Sequence, residues 1–271
     1  MREFDFYIVP TPIGNLGDIT NRAIDVLKSV DIIACEDSRN TQKLLNHFSI
    51  GTKCISYHKF NEKERVSQFI KLIKEGKKIA LVSDAGTPLF CDPGAILVEE
   101  LKKEDISVTA LPGANAVITF ISQIPRDSEE FAFVGFLPKS KNQIIELFEK
   151  YKTTDLIFYE SPNRLLETLK VIKDYDSDRT VSVGRELTKI FEEVITKKTE
   201  NMLEHFSQTG IKGEIVVMLH KSTSSDHIKN YEDKIRKLKN KKYSDKDISV
   251  ILSTIYNINK NEVYGYLQKT K

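Results

Sequence analysis

Three short apolar segments run directly into loops rich in glycine and proline, and this feature constrains the fold most. Residues 7–9 precede PTPIGNLGD, residues 79–82 precede SDAGTP, and residues 108–111 precede PGANA. Glycine lets another molecule approach the main chain closely, and proline stiffens the exit of a loop. Ligands of open α/β sheets bind just outside the carboxyl ends of the strands. The three loops together predict a ligand crevice, although any one alone is equally typical of a plain strand-to-helix turn.

These loops lack two familiar phosphate-binding signatures. None contains the Gly-Lys-Ser/Thr sequence of a Walker loop, and none matches the Gly-x-Gly-x-x-Gly dinucleotide fingerprint. The loop pattern therefore predicts a small-molecule site and leaves the identity of the ligand open.

Hydrophobic patterning predicts two successive α/β units. The first has strands at 4–9, 31–35, 79–83 and 108–111, and helices at 22–29, 41–48, 64–75 and 94–103. The second has strands at 131–136, 155–159, 180–183 and 214–219, and helices at 143–151 and 165–174. Phe131, Phe133 and Phe136 are expected in the core rather than as a stacking platform for bases. Strands that alternate with helices are typical of the α/β class.

Composition agrees with a globular enzyme of more than one domain. The chain has 271 residues, of which 40% are hydrophobic and 30% charged. No apolar run approaches the roughly 20 residues that span a bilayer, and no signal-peptide core is visible near the N-terminus. The three cysteines lack Cys-x-x-Cys spacing and the five histidines are scattered. We therefore expect a reducing, cytoplasmic location and no metal site.

Charge is distributed unevenly along the chain. Residues 221–271 contain 12 Lys/Arg and 6 Asp/Glu, whereas residues 1–220 contain 29 Lys/Arg and 33 Asp/Glu. A mildly acidic body is therefore joined to a basic tail. Such a tail is typical either of a solvated polar helix or of a surface that neutralises nucleic-acid phosphates.

The basic tail also has a helical pattern. Ser244 and Asp247 resemble a capping box, and apolar residues follow at helical spacing (Ile248, Ile251, Leu252, Ile255). A turn at 257–259 and a second helix containing Val263, Tyr266 and Leu267 complete a helix-turn-helix-like module. Residues 222–226 are the expected linker. Modules of this kind pack on their own protein, on a second subunit or on nucleic acid.

Seven motifs occur in the order of one known family. They are PTPIGNLGDIT (10–20), ACEDSRNT (34–41), VSDAGTP (82–88), LPGANA (111–116), FVGFLP (133–138), YESPNR (159–164) and GRELTK (184–189). Because of these motifs and their order, the chain resembles the tetrapyrrole methylases, which are also called class III S-adenosylmethionine methyltransferases. Within that family the motifs are most similar to the branch that methylates ribosomal RNA.

The resemblance implies a fold and a reaction. The expected fold is two α/β domains (1–118 and 119–221) with the cofactor cleft between them, followed by a small helical module (227–271). The expected reaction is S-adenosyl-L-methionine-dependent 2′-O-methylation of a cytidine in the decoding centre of 16S rRNA, within the small ribosomal subunit, by a homodimer. Two alternatives stay open. One is a methylase of a tetrapyrrole, another small molecule or a protein; the other is a non-catalytic regulator that binds S-adenosylmethionine.

Family analogy also assigns cofactor-binding residues. They are Pro12, Gly14, Asp84, Ala85, Gly86, Thr87, Pro88, Gly113, Ala114, Asn115 and Ala116. Asp84 is expected to bind the methionyl ammonium or the ribose hydroxyls, with capping of the following turn as the alternative.

Charged residues at strand ends are candidates for the acceptor side. Arg39, Arg164 and Arg185 are assigned to the RNA backbone, because a guanidinium binds phosphate in a bidentate manner. Three carboxylates are candidates for accepting a proton or orienting those arginines, namely Asp37, Glu160 and Glu186. Structural arginine–carboxylate pairs are the alternative for each, and the reaction can also proceed with water as the only base. The aromatic rings at Tyr57 and Phe60 are further candidates for base stacking, or belong to a plain surface loop.

Overall fold

The apolar segments that precede the glycine loops lie side by side in one parallel sheet. The computed structural model describes residues 3–208, 210–222, 231–256 and 260–269, apart from the side chains of residues 262 and 269. The first sheet has the strand order β3-β2-β4-β1-β5. Its strands are β1 (Phe6–Ile8), β2 (Ile32–Cys35), β3 (Lys53–Ser56), β4 (Ile79–Val82) and β5 (Val108–Ala110). All neighbours are parallel, so their carboxyl ends share one edge.

Helices cover both faces of this sheet because alternate strand residues are apolar on both sides. They are α1 (Asn21–Ser29), α2 (Ser38–His47), α3 (Glu62–Lys74) and α4 (Ala95–Lys103), whereas α5 (Ala116–Ile121) packs toward the second sheet. On one face Val9 and Ile33 pack with Leu27 of α1. On the other face Ile8 and Leu81 pack with helices α3 and α4.

The second sheet is mixed and has the order β6-β7-β10-β8-β9. Its strands are β6 (Phe131–Phe136), β7 (Asp155–Glu160), β8 (Thr180–Arg185), β9 (Glu193–Lys198) and β10 (Ile215–Leu219). Only β6 and β7 are parallel, and the other three pairs are antiparallel. One face is covered by α6 (Lys141–Lys150), α7 (Pro162–Tyr175) and α8 (Thr199–Gln208), whose apolar residues form the largest core cluster with the strands.

A separate apolar cluster joins the two sheets. Ile13, Val117 and Phe120 from the first unit pack against Ile157 and Val216 of the second. This contact places the loops at the carboxyl edge of the first sheet against the free face of the second. We refer to the two units together, residues 3–222, as the α/β body.

In the part of the chain that the structure describes, three helices follow the body and surround a small core of their own. They are α9 (Glu232–Asn240), α10 (Asp245–Tyr256) and α11 (Lys260–Lys269), which we call the C-terminal module. The capping box is present, because the Asp247 amide donates to the Ser244 hydroxyl and the Asp247 carboxylate accepts from the Ser244 amide. Most of the expected linker and the whole expected turn at 257–259 lie outside the described residues.

The predicted α/β class is confirmed, and several details differ. Short or polar sequences concealed β3, β9, α8 and α9 from the pattern analysis. The core prediction was wrong for Phe131 and Phe136, which are 37% and 60% exposed. A register irregularity between Phe133 and Phe136, with Gly135 at φ +69°, interrupts the alternation of β6 and pairs Phe136 with Tyr159 at the exposed end of the strand. Within the described residues, no helix is both long and apolar enough to cross a membrane.

Candidate active site

A cleft of about 360 Å³ lies where the loops of the first sheet meet the second sheet. The first unit contributes Ile13, Ala85, Gly86, Thr87, Phe90, Cys91, Asp92, Asn115 and Ala116, which we call the first wall. The second unit contributes Phe136, Tyr159, Glu160, Ser161, Pro162, Leu187, Gly213, Glu214, Ile215 and Val216, which we call the second wall. Both the volume and the mixture of apolar surface with a few polar groups are typical of small-molecule sites.

Main-chain hydrogen bonds hold the loop after β4 against the loop after β1. Thr11 and Gly86 exchange two amide–carbonyl bonds of 2.9 Å, and the Thr11 hydroxyl donates to the Ser83 carbonyl. Gly86 has φ +81°, a conformation that disfavours side chains. The Thr87 hydroxyl donates to the carbonyl of Ala114, which adds the third loop to the pair. Adjacent strands thus bring all three predicted loops together.

The third loop ends at the N-terminus of α5. The Asn115 side chain accepts hydrogen bonds from the amides of Val117 and Ile118 and so caps this helix. Gly113 lies against the ring of Pro10. The loop therefore rests on the loop after β1 and presents Asn115 and Ala116 to the cleft.

Five of the predicted cofactor residues line the cleft, namely Ala85, Gly86, Thr87, Asn115 and Ala116. The other six lie behind or beside this lining. They are Pro12, Gly14, Asp84, Pro88, Gly113 and Ala114.

Gly14 sits at the junction between the two units. A Cβ atom there would lie 2.5 Å from Lys189 Cγ and 2.9 Å from the carbonyl oxygen of Leu187. Such distances are shorter than van der Waals contact, so a side chain at this position would push the units apart. Gly14 therefore allows the close approach that brings Leu187 into the second wall.

Asp84 connects two strand ends of the first sheet. Its carboxylate accepts from the Asp37 amide (3.2 Å) and from the Asn40 side chain (3.1 Å). It is exposed and is not among the residues that line the cleft. Its contacts fix the loop after β4 relative to the N-terminus of α2.

Asp92 is a carboxylate of the first wall that the sequence analysis did not select. Leu89 and Cys91, which flank Phe90 just before Asp92, have φ values of +67° and +76°. Left-handed backbone costs non-glycine residues about 1–2 kcal/mol each, and such strain is concentrated at functional sites. Burial, together with the negative charges of Glu36 and Asp84, raises the pKa of Asp92 to about 6, although a hydrogen bond from Ser83 opposes the shift.

Aromatic rings connect the two walls. Phe90 stacks on Phe133 with ring centroids 4.6 Å apart and an interplanar angle of 10°. Tyr159 contacts both Phe133 and Phe136. Burial raises the pKa of Tyr159 well above its ordinary value, so its hydroxyl stays protonated. The aromatic series forms an apolar floor beside Asp92.

Glu160 is the one predicted acid–base residue that lines the cleft. Its side chain is buried and accepts hydrogen bonds from the Ser161 amide (2.8 Å) and the Thr168 hydroxyl (2.7 Å). Arg164 Nε lies 3.7 Å from the Glu160 carboxylate. The same guanidinium donates to the carbonyls of Leu137 and Pro138, so Arg164 holds the loop after β6.

Glu186 lies beneath the second wall and locks two of its segments together. Its carboxylate accepts from Lys189 Nζ (2.7 Å) and from the Glu214 amide (2.9 Å). Partial burial acts to raise the pKa of Glu186, but these two hydrogen bonds outweigh it and lower the pKa below the usual range. Glu186 thus positions Leu187 and Glu214, which do line the cleft.

The remaining predicted residues form arginine–carboxylate pairs outside the lining. Asp37 caps α2, and hydrogen bonds from the side chain and amide of Arg39 lower its pKa to about 2. The Arg39 side chain is 87% exposed. Arg185 donates to Glu193 across the β8–β9 hairpin at 3.2 Å. Of the three arginines, Arg39 is the one whose side chain reaches solvent freely.

Sequence reasoning missed three residues of the site, namely Asp92, Phe90 and Tyr159. Asp92 lies four residues beyond SDAGTP in the loop between β4 and α4, and its position just before a Pro-Gly pair is the signal that could have identified it. Phe90 and Tyr159 gave no separate signal, because only packing reveals which aromatic rings meet.

A family model described as Tetrapyrrole (Corrin/Porphyrin) Methylases matches residues 5–203. A relative from Buchnera aphidicola, "Ribosomal RNA small subunit methyltransferase I", is 42% identical over 97% of this chain and 96% of its own length. A relative of the same name from Hydrogenobaculum sp. is 44% identical over 80% of this chain and 96% of its own length.

Solved structures with low sequence identity share the fold. A diphthine synthase aligns with 80% of this chain over 90% of its own length. Its TM-score is 0.65 at 12% identity. A uroporphyrin-III C-methyl transferase from Thermus thermophilus, complexed with S-adenyl homocysteine, aligns with 79% of this chain over 96% of its own length. Its TM-score is 0.56 at 15% identity. With the family model covering most of the α/β body and close relatives over most of the chain, this protein belongs to the tetrapyrrole methylase family.

Proposed function

We propose that this protein transfers the methyl group of S-adenosylmethionine to the ribose 2′-hydroxyl of a cytidine in the decoding centre of 16S rRNA. The observation that carries the proposal is the cleft between the two units, whose first wall is built from the family's own motifs. The names of the relatives, at 42–44% identity, support ribosomal RNA as the acceptor.

The residues of the cleft fit S-adenosylmethionine. This cofactor has a flat aromatic adenine base, a polar ribose and positive charge on its sulfonium and ammonium groups. The cleft combines apolar side chains such as Ile13 and Phe90 with the carboxylates Asp92, Glu160 and Glu214. Ala85, Gly86, Thr87, Asn115 and Ala116 are the residues that we expect to hold it. When bound, the cofactor supplies a methyl group already activated for displacement, so alignment of the acceptor oxygen contributes much of the rate, roughly 7–11 kcal/mol in favourable cases.

A ribose hydroxyl is a poor nucleophile at neutral pH, so a proton acceptor assists the transfer. We assign this role to Asp92 Oδ, because Asp92 lines the cleft beside the aromatic floor and its carboxylate is partly removed from solvent. A pKa near the working pH suits a general base, whereas the pKa of Asp37, about 2, makes that carboxylate a weak one. Glu160 and Glu186 act as positioning residues through the contacts described above.

Among the candidates for the acceptor side, Arg39 and Phe60 are the most exposed. The Phe60 ring is 98% exposed in the loop that follows β3, and Arg39 lies in the first turn of α2, which follows the adjacent strand β2. A guanidinium binds phosphate and an exposed ring stacks on a base, so the two suit a single-stranded segment. Arg164 and Arg185 are committed to protein contacts, and we expect smaller effects on RNA affinity from them.

The experiment that tests the proposal is transfer of radiolabelled methyl from S-adenosylmethionine to small ribosomal subunits that lack their own 2′-O-methyl marks. We expect label in a 2′-O-methylcytidine of 16S rRNA. An Asp92→Asn variant serves as the inactive control, and Asp25→Asn, at an exposed position of α1, serves as the matched active control.

Two other outcomes would replace the proposal. Transfer to a tetrapyrrole, another small molecule or a protein, but not to the subunit, would identify a different acceptor class. Tight cofactor binding without transfer to any of these acceptors would identify a regulator that senses S-adenosylmethionine.

A further inference from the structure

The C-terminal module has its own core, and none of its described residues lines the cleft. Ile235, Ile248, Leu252, Val263 and Leu267 are buried together within it. The described residues that line the cleft all belong to the α/β body. The module therefore serves something other than the architecture of the cleft.

Relatives with the same name differ in whether they have room for this module. The Buchnera relative matches 97% of this chain, so the match extends into the module. In the Hydrogenobaculum relative, 222 aligned residues make up 96% of the protein, which leaves too little length for both the body and three further helices. The module is thus an addition to a body that exists without it.

One end of the module carries a group of exposed lysines. Lys237, Lys241, Lys242 and Lys246 lie around the turn between α9 and α10. No described carboxylate forms an ion pair with any of them, whereas Arg236 is paired with Asp233 at 2.8 Å. Tyr243, 46% exposed, lies among these lysines in sequence. We call Lys237, Lys241, Lys242, Tyr243 and Lys246 the basic end.

The basic end suits RNA better than it suits an unspecified acidic protein. Residues 1–220 contain four more acidic than basic residues, so the body itself offers little net attraction to a polyanion. Mobile lysines neutralise phosphates without requiring a fixed geometry, and an exposed tyrosine among them can stack on an unpaired base. Neither feature would be needed for a module that only packed against its own body.

We propose that the basic end binds the phosphate backbone of the rRNA acceptor at a distance from the methylated nucleotide. This inference rests on the proposed function for the identity of the acceptor. Binding of this kind raises affinity for RNA and leaves the methyl-transfer step unchanged. Its signature is a steep dependence on salt, because each neutralised phosphate releases counterions and contributes about 0.7–0.9 to the slope of log K against log salt.

The test compares two fourfold variants of the full chain. One replaces Lys237, Lys241, Lys242 and Lys246 with glutamine. The matched control replaces four exposed lysines of the body with glutamine, namely Lys28, Lys53, Lys102 and Lys170. None of these four forms an ion pair with a described residue. Affinity for unmodified small subunits is measured at low and at high KCl, together with the KM and kcat of methyl transfer and the affinity for S-adenosylmethionine.

We expect the basic-end variant to bind subunits roughly tenfold or more weakly at low salt and its salt slope to fall by roughly 3. The loss should appear in KM for the subunit, with cofactor affinity retained, and a Lys→Arg version of the four positions should restore binding. The control variant should match the original protein.

Equal RNA affinity and salt slope for the two fourfold variants would overturn the inference, even if methyl transfer to rRNA is established. It would also be overturned if the basic-end variant lost binding only to phosphatidylserine vesicles, because the partner would then be a membrane. Conversely, loss of RNA binding in a protein that methylates no subunit would uphold the basic end and contradict the proposed function.

Discussion

The two walls of the cleft are built in opposite ways. The first wall consists of loops that follow parallel strands, and main-chain bonds such as the Thr11–Gly86 pair hold it together. The second wall consists of residues from the end of β6, β7, the start of α7, the β8–β9 connection and the start of β10. Side-chain hydrogen bonds such as those of Glu186 with Lys189 and Glu214 hold it together. The first wall can be recognised along the chain, whereas the second exists only after packing. We expect substitutions in the first wall to alter cofactor binding and proton transfer directly. Substitutions in the second wall should act indirectly, by moving the residues that line the cleft.

The largest expected effect belongs to the first wall. We expect Asp92→Asn to lower kcat by about 10²–10⁴-fold, the range that general acid–base groups supply, while S-adenosylmethionine affinity changes little. Isothermal calorimetry and the methyl-transfer assay measure the two quantities separately, with Asp25→Asn as the control. A fall in cofactor affinity that matches the fall in activity would instead make Asp92 a cofactor ligand.

Gly14→Ala tests the junction between the walls. Its Cβ would meet the Leu187 carbonyl at 2.9 Å, and the strain of such overpacking is typically about 1–3 kcal/mol. We expect cofactor affinity to fall by roughly 5- to 100-fold as the walls separate. Gly51→Ala is the matched control, because a Cβ there has no neighbour within 4 Å. Unchanged affinity in Gly14→Ala would show that the walls bind independently.

The pH dependence of activity distinguishes the carboxylates of the two walls. Burial beside Glu36 and Asp84 raises the pKa of Asp92 to about 6, and Asp92 accepts a proton only when ionised. Single-turnover rates should therefore rise about tenfold between about pH 5 and pH 7 and level off above it. Asp92→Asn should abolish this rise. If the rise in rate with pH persisted in Asp92→Asn, a group other than Asp92 would be responsible for it.

The smallest expected effect concerns the rings that join the walls. Phe90 and Phe133 stack across the junction, and aromatic pairs contribute about 0.5–1.5 kcal/mol beyond the area that they bury. A double-mutant cycle with Phe90→Leu and Phe133→Leu should give a coupling of that size in urea unfolding. Phe90→Leu combined with Phe69→Leu, a ring in the core on the α3 side of the first sheet, should be additive. An additive Phe90–Phe133 pair would mean that the stack adds nothing to the junction.

The loop residues and the arginines differ in how far the sequence could indicate their place relative to the cleft. Ala85, Gly86 and Thr87 were predictable because glycine, proline and an abrupt strand end mark a strand-end loop in any chain. Arg39, Arg164 and Arg185 looked alike as arginines near acidic residues. All three donate hydrogen bonds to groups of the protein, and the structure separates them by exposure, since the Arg39 side chain is 87% exposed and those of Arg164 and Arg185 are 29% and 23% exposed.

The sequence by itself determined the elements with a strong local signal. These include the buried strands of the first sheet, the loops that follow them, the Ser244–Asp247 cap and the contrast in charge between body and tail, because each depends on neighbours along the chain. Only the tertiary structure decided that Asp92 shares a cleft with Glu160, that Gly14 touches Leu187 and that Phe90 stacks on Phe133. Burial, desolvation and contact across two sheets depend on residues tens of positions apart, and no local pattern encodes their meeting.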